Sequence, residues 1–271
     1  MKLQSIKTFA LGLLLAGAVQ SSFGFRVVGY FPSWQGSVSG IQFSKVTHIN
    51  YAFLLPNSNG SLQTIDNASK LQSLVTSAHN AGVKVCISVG GWNDGNDSAF
   101  VSIAGNSSYR TTFVNNIVNF INQYDLDGVD IDWEYPDTSS ESSNYTTLMG
   151  QLASAMHSRG KTLTAAVIAY GSTGDYISST VFGYVDWLNI MDYDNTGGVG
   201  QSTYSSAITA INYWCGTRGL SKTKAGLGVP FYSDPSDYAF WDLLNRGADP
   251  NSDTWGSEGY NGIPTIQKKT K

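Results

Sequence analysis

The feature that most constrains the fold is an alternation running through nearly the whole chain. Short runs rich in β-branched residues, at 26–31, 46–54, 83–90, 128–134, 162–169, 185–193 and 225–231, are separated by longer amphipathic stretches. Several of the runs are almost continuously apolar, as strands buried on both faces of a parallel sheet are. Between them, 67–81 carries Leu71, Leu74, Val75 and Ala78 at helical spacing, with Gly82 placed to cap the end. The stretches 109–124, 144–158 and 203–215 repeat that pattern. No linker or low-complexity break interrupts the series, so it reads as one α/β domain on a parallel sheet. A closed (β/α)8 TIM barrel needs eight strands and seven can be counted. An open doubly wound sheet tolerates seven, but its ligand site is usually announced by a Gly-rich first turn, and here that turn reads PSWQG.

One predicted strand is chemically abnormal. The segment DGVDIDWEYP at 127–136 places Asp130, Asp132 and Glu134 at alternate positions. Such positions share one face of a strand, about 7 Å apart, while Val129, Ile131 and Trp133 take the other. Like charges buried this close are costly, and they force protons to be shared and pKa values apart. A charged edge strand would not pair its acids with such an apolar opposite face. A calcium loop needs a turn rather than period-two alternation. The acids therefore point to catalysis.

The rest of the composition narrows the partners. Of 271 residues, 13% are charged and 13% aromatic, with a formal net charge of -4 and no basic run. That gives no footprint for nucleic acid and suits a neutral ligand whose C–H faces can stack on rings. His48, His79 and His157 lack metal-ligand spacing, so no metal or other cofactor is expected. In residues 1–24, Lys2 and Lys7 precede an apolar run at 9–19, and the small residues Ser22 and Gly24 follow. This is the layout of a secretory signal peptide cleaved before Phe25, and the apolar run is too short for the roughly 20 residues that span a bilayer. The expected mature chain, 25–271, is secreted, acts as a monomer off the membrane, and carries 14 basic against 20 acidic residues. Cys86 falls in a strand and Cys215 in an outer helix, so no disulfide between them is expected.

The acidic segment resembles the DxxDxDxE signature of glycoside hydrolase family 18, the chitinase family. Other stretches agree in order. VVGYFPSW at 27–34 and THINYAF at 47–53 resemble the first two strands, and SVGGW at 88–92 the SxGG motif ending the third. MDYD at 191–194 resembles the motif ending strand 6, and GLGVPFY at 226–232 the seventh strand. The resemblance runs from about Val27 to the C-terminus and implies a (β/α)8 barrel with its site at the C-terminal strand ends. The substrate it implies is chitin or chito-oligosaccharide.

The resemblance also implies roles. Family 18 departs from the usual scheme of two carboxylates with one as nucleophile. Glu134 would protonate the leaving oxygen, and the substrate's own acetamide would attack the anomeric carbon. Asp132 would orient that acetamide, and Asp130 would hold or share a proton with Asp132. Tyr193 would contact the acetamide carbonyl, beside Met191 and Asp194. Tyr30 and Ser88 match residues that hydrogen-bond the buried aspartate. Trp34, Trp92, Tyr135, Tyr232 and Trp255 lie near loop ends where they could stack on sugars.

Two departures from the family pattern carry expectations. About 28 residues separate Tyr232 from Tyr260, too few for the small module that walls a deep cleft in many members. A shallow, open, endo-acting cleft follows. The chain also ends where strand 8 should begin, which implies an incomplete barrel of seven strands. Two rivals share the pattern: an endo-β-N-acetylglucosaminidase acting on glycans, and a chitin-binding lectin. Lectin relatives typically lose an acid at the position of Glu134 or Asp132, and both acids are present.

Overall fold

The computed structural model describes residues 26–194, 197 and 200–271, and the predicted signal peptide lies outside them. Seven strands form one parallel sheet in sequential order: β1 (Val28–Pro32), β2 (His48–Leu54), β3 (Lys84–Gly90), β4 (Gly128–Asp132), β5 (Thr162–Ile168), β6 (Trp187–Met191) and β7 (Ala225–Leu227). The helices between them are α1 (Ala68–Asn80), α2 (Ser98–Gly105), α3 (Ser107–Tyr124), α4 (Ser139–His157), the short α5 (Ser172–Asp175) and α6 (Val181–Tyr184), and α7 (Tyr204–Ile211). After β7 come α8 (Phe240–Asn245), a hairpin of β8 (Thr254–Trp255) and β9 (Glu258–Gly259), and α9 (Ile263–Lys269). Among the described residues, no helix is long and apolar enough to cross a membrane.

The sheet is rolled. In a flat sheet β1 and β6 would stand five strand spacings apart, about 24 Å. Instead, Tyr30 on β1 and Asn189 on β6 both reach the carboxylate of Asp130 on β4, at 2.8 and 3.0 Å. Arg26, just before β1, lies over the Trp187 ring at 4.7 Å and donates to the Thr223 carbonyl just before β7. The two sheet edges are thereby tied at one end, although β1 and β7 do not pair with each other. β4 is buried throughout, whereas β1 and β7 are partly exposed.

Alternation along each strand divides the side chains. Ile49, Tyr51, Val85, Ile87, Val129, Ile131 and Leu163 face the helices and pack with Leu71, Leu74, Phe113, Ile117, Leu148 and Met156 into one core. Each such side chain contributes about 1.5–3 kcal/mol on burial. The polar members of the strands face the barrel interior. At the N-terminal strand ends one device occurs twice. Asp127 accepts from the Val85 amide and meets His79, both at 2.8 Å. Asp186 accepts from the Leu163 amide at 2.8 Å and meets His157 at 3.2 Å. Two of the three histidines thus fasten helices to strands.

Several boundaries differ from the sequence reading. β4 ends at Asp132, not Glu134, and β7 is three residues long. Pro230 has no N–H to give a ladder, which limits β7. α4 starts five residues earlier than its apolar spacing indicated, because Thr138 caps it and the Glu141 carboxylate reaches back to the Asp137 amide at 2.9 Å. The residues after Tyr232 form a small lobe of α8 and the hairpin around Leu243, Ala248 and Tyr260. Cys86 is buried in the barrel, and both cysteines are free.

Candidate active site

The site begins with a polar layer inside an otherwise apolar sheet. Pairing sets Ser88 on β3 and Thr164 on β5 directly opposite Asp130 on β4. Asp130 is fully buried and accepts four hydrogen bonds. Tyr30 and Ser88 hydroxyls donate to Oδ2 at 2.8 and 2.9 Å, and the Thr164 hydroxyl and Asn189 amide donate to Oδ1 at 2.6 and 3.0 Å. Burial raises this carboxyl above its ordinary range, and the four donors offset part of that rise. Tyr30 is 37% exposed as a residue, yet its hydroxyl is turned inward to Asp130.

One step toward the C-terminal rim, Asp132 is 3% exposed, and its Oδ1 has no hydrogen-bond partner among the described residues. Burial, then Glu134 and Asp130, hold its carboxyl well above the usual range. The backbone here is fixed by close approach: the Gly91 amide donates to the Asp132 carbonyl at 2.9 Å. A Cβ on Gly90, whose φ is +110°, would run into that same carbonyl.

Glu134 follows at the rim, half-buried. Burial raises its carboxyl to about 7; a hydrogen bond with Tyr135 lowers it and the charge of Asp194 raises it. A carboxyl poised near neutrality is suited to giving up and regaining a proton. The Tyr135 hydroxyl is pushed up, by burial first and then by Glu134 and Asp132.

The opposite wall comes from β6 and the residues after β7. Met191 closes β6 and is half-buried. Beyond it, burial and then Asp132 and Glu134 raise the Tyr193 hydroxyl, which keeps it a neutral donor. Tyr193 meets Tyr232 edge-on at 6.0 Å, and the Tyr232 hydroxyl donates to Asp194 Oδ2 at 2.7 Å. Trp92, at the end of the β3 loop, is 63% exposed, and Trp34, after β1, is 65% exposed. Trp255 packs instead against the small lobe core with Leu243 and Tyr260, so it caps that core rather than offering a face at the rim.

The structure brings Tyr30, Ser88, Asp130, Asp132, Glu134, Tyr135 and Tyr193 together around one interior. Sequence reasoning missed Thr164 and gave no role to Asn189. Each is a polar residue on the inward phase of an apolar strand, and that phase is the signal that could have found them.

A family model for glycosyl hydrolases family 18 matches residues 26–255. Among curated proteins, the chain is 28% identical to Probable chitinase 10 of Drosophila melanogaster over 79% of this chain and 11% of that protein. It is 29% identical to Chitinase A1 of Niallia circulans over 84% of this chain and 44% of that protein. It thus spans less than half the length of either relative. Among solved structures, it superposes on the GH18 chitinase ChiB from the chitin utilization locus of Flavobacterium johnsoniae with a TM-score of 0.76. The identity is 29%, over 90% of this chain and 82% of that one. A rolled parallel sheet with Asp130 and Asp132 in file on its fourth strand and Glu134 just beyond its end, and a family match spanning most of the chain, lead to one assignment: the chain belongs to glycosyl hydrolases family 18.

Proposed function

We propose that this chain is a secreted chitinase that hydrolyses β-1,4-linked N-acetylglucosamine polymers, with retention at the anomeric carbon. The observation that carries the reading is the gradient that runs along β4 and just past its end. Asp130 is saturated with donors, Asp132 presents a buried oxygen without a partner, and Glu134 holds a proton near neutrality. A substrate acetamide N–H would satisfy the Asp132 oxygen, which aims the acetamide oxygen at the anomeric carbon. Glu134 protonates the glycosidic oxygen as it departs, and the acetamide oxygen forms the new bond. Asp132 faces the positive charge of the resulting oxazolinium ion. Glu134, now a carboxylate, takes a proton from the incoming water as the water oxygen bonds to the anomeric carbon and the bond to the acetamide oxygen breaks, which restores both the acid and the acetamide. Tyr193, neutral at working pH, donates to the acetamide carbonyl. The exposed rings of Trp92 and Trp34 offer faces for neighbouring sugars, and the short span between Tyr232 and Tyr260, with no room for a walling module, favours attack within a chain. One chain supplies all these groups, so the reaction needs no second copy.

The test is dependence on the acetamide. Chito-oligomers should be cut with the β-anomer released first, as followed by proton NMR. Fully deacetylated chitosan and cellulose should resist, and a thiazoline mimic of the cyclic intermediate should inhibit. Cleavage of cellulose at a rate comparable to chitin would point to a two-carboxylate mechanism and sink this reading. Secretion is checked separately: the exported protein should begin at Phe25 by N-terminal sequencing.

A further inference from the structure

Glu134 stands two residues past the end of β4, and the pairing of β4 with β5 stops earlier still, at Ile131. The ladder therefore does not place the acid. Between Asp132 and Glu134 lies Trp133, whose indole turns the other way, into the helix layer. It is 2% exposed, stacks on Phe100 at 5.5 Å with the planes 8° apart, and meets Tyr145 edge-on at 5.7 Å. Stacking fixes the plane of a ring but tolerates rotation and sliding within it. What stops that motion is a hydrogen bond, from Trp133 Nε1 to Asp97 Oδ2 at 2.8 Å. Asp97 belongs to the loop between β3 and α2 and lines the same cleft as Asp132 and Glu134.

We propose that Asp97 is a positioning residue for the catalytic acid: by holding the Trp133 indole it fixes the backbone that carries Glu134. The inference rests on the chitinase reading for the name of the acid, but not for the geometry. A bond from an indole N–H to a carboxylate is charge-assisted and stronger than a neutral one. A displaced acid loses proton transfer more than substrate binding, because small misplacements act on the reacting geometry. The side chains that face Glu134 electrostatically are Asp132, Asp194, Tyr135 and Tyr193, and its own burial is the largest influence on its proton. A loosened strand end admits water and lowers its pKa toward the ordinary glutamate range.

The experiment uses the full chain with Asp97→Ala, Asp97→Asn, Trp133→Phe and the double variant Asp97→Ala/Trp133→Phe. On chito-oligomers, Asp97→Ala and Trp133→Phe should each lower kcat about tenfold and leave KM within about twofold. Asp97→Asn, which keeps an acceptor oxygen, should stay within about threefold of wild type. The double variant should be no worse than either single one, since both remove the same bond. A readout independent of turnover is the carboxyl carbon-13 titration of Glu134, assigned by its loss in Glu134→Gln. Its midpoint should lie at about 7 in wild type and Asp97→Asn, and about one unit lower or more in Asp97→Ala and Trp133→Phe. If both variants melt earlier but keep wild-type kcat and the wild-type Glu134 midpoint, Asp97 merely ties down Trp133 and the proposal is overturned. Inactivity of the wild-type chain on chito-oligomers would count against the chitinase reading alone, and the Glu134 midpoint would still decide on Asp97.

Discussion

Burial lifts the Glu134 carboxyl to about 7, far above an ordinary glutamate, so it keeps a proton well into the range where most carboxyls have lost theirs. In the proposed mechanism Glu134 acts in its protonated form, so kcat/KM should be held below about pH 7 and lost as pH rises through that value. Glu134→Gln should lower turnover by about 10²-fold or more while sugar binding persists, which rates and calorimetric titration with chito-oligomers measure. Retained turnover within about threefold of wild type would remove Glu134 from the mechanism. The same shift bears on stability. The folded-state pKa of Glu134 lies above its unfolded value, so the folded chain binds the extra proton. That contribution is present in full below the unfolded pKa and is lost as pH rises through about 7. Glu134→Gln should therefore match wild type in urea unfolding near pH 4 and exceed it at pH 8, by up to about 3 kcal/mol. Equal stability at pH 8 would mean that the carboxyl is not strained by its burial.

At the scale of elements, the polar layer beneath the acids ties neighbouring strands together. Thr164→Val keeps the shape of a fully buried side chain on β5 but removes the 2.6 Å donor to Asp130. It should cost about 1.5–3 kcal/mol in denaturant unfolding, as the loss of a hydrogen bond to a charged group does. It should also slow turnover, because a less well held Asp130 raises its own pKa and disturbs Asp132. Gly90→Ala should do more damage, since its Cβ has no room beside the Asp132 carbonyl; an undiminished melting temperature would contradict that. These strands also show what the sequence makes legible. Period two put Asp130, Asp132 and Glu134 on one side, and motif order located Ser88 and Tyr193. Phase alone could have marked Thr164 as an inward polar residue, but its pairing with Asp130 depends on register between β4 and β5, a long-range quantity that no local pattern carries. The Asp97–Trp133 bond was hidden for the same reason: it crosses 36 positions. The early start of α4 was missed because capping by Thr138 and Glu141 set it, not apolar spacing.

At the scale of the whole molecule, the edges of β1 and β7, which pair with no further strand among the described residues, set the weak point. Exposed strand edges are templates for pairing with another chain. The 271-residue polypeptide should therefore associate as its concentration rises in sedimentation velocity, and the amides of β1 and β7 should exchange faster than those of β4. A monodisperse sample whose edge amides are as protected as those of β4 would overturn this expectation. Against that weakness stands Asp130. Tyr30 and Asn189 come from strands that would be far apart in a flat sheet, and they close on the two oxygens of a single carboxylate. Asp130 therefore works as a gauge of curvature. Flattening the sheet by even one strand's tilt would withdraw Tyr30 or Asn189 and leave a buried carboxyl short of donors. A spectroscopic label on that one carboxyl would report the curvature of the whole sheet, and with it whether Asp130, Asp132 and Glu134 still stand in file.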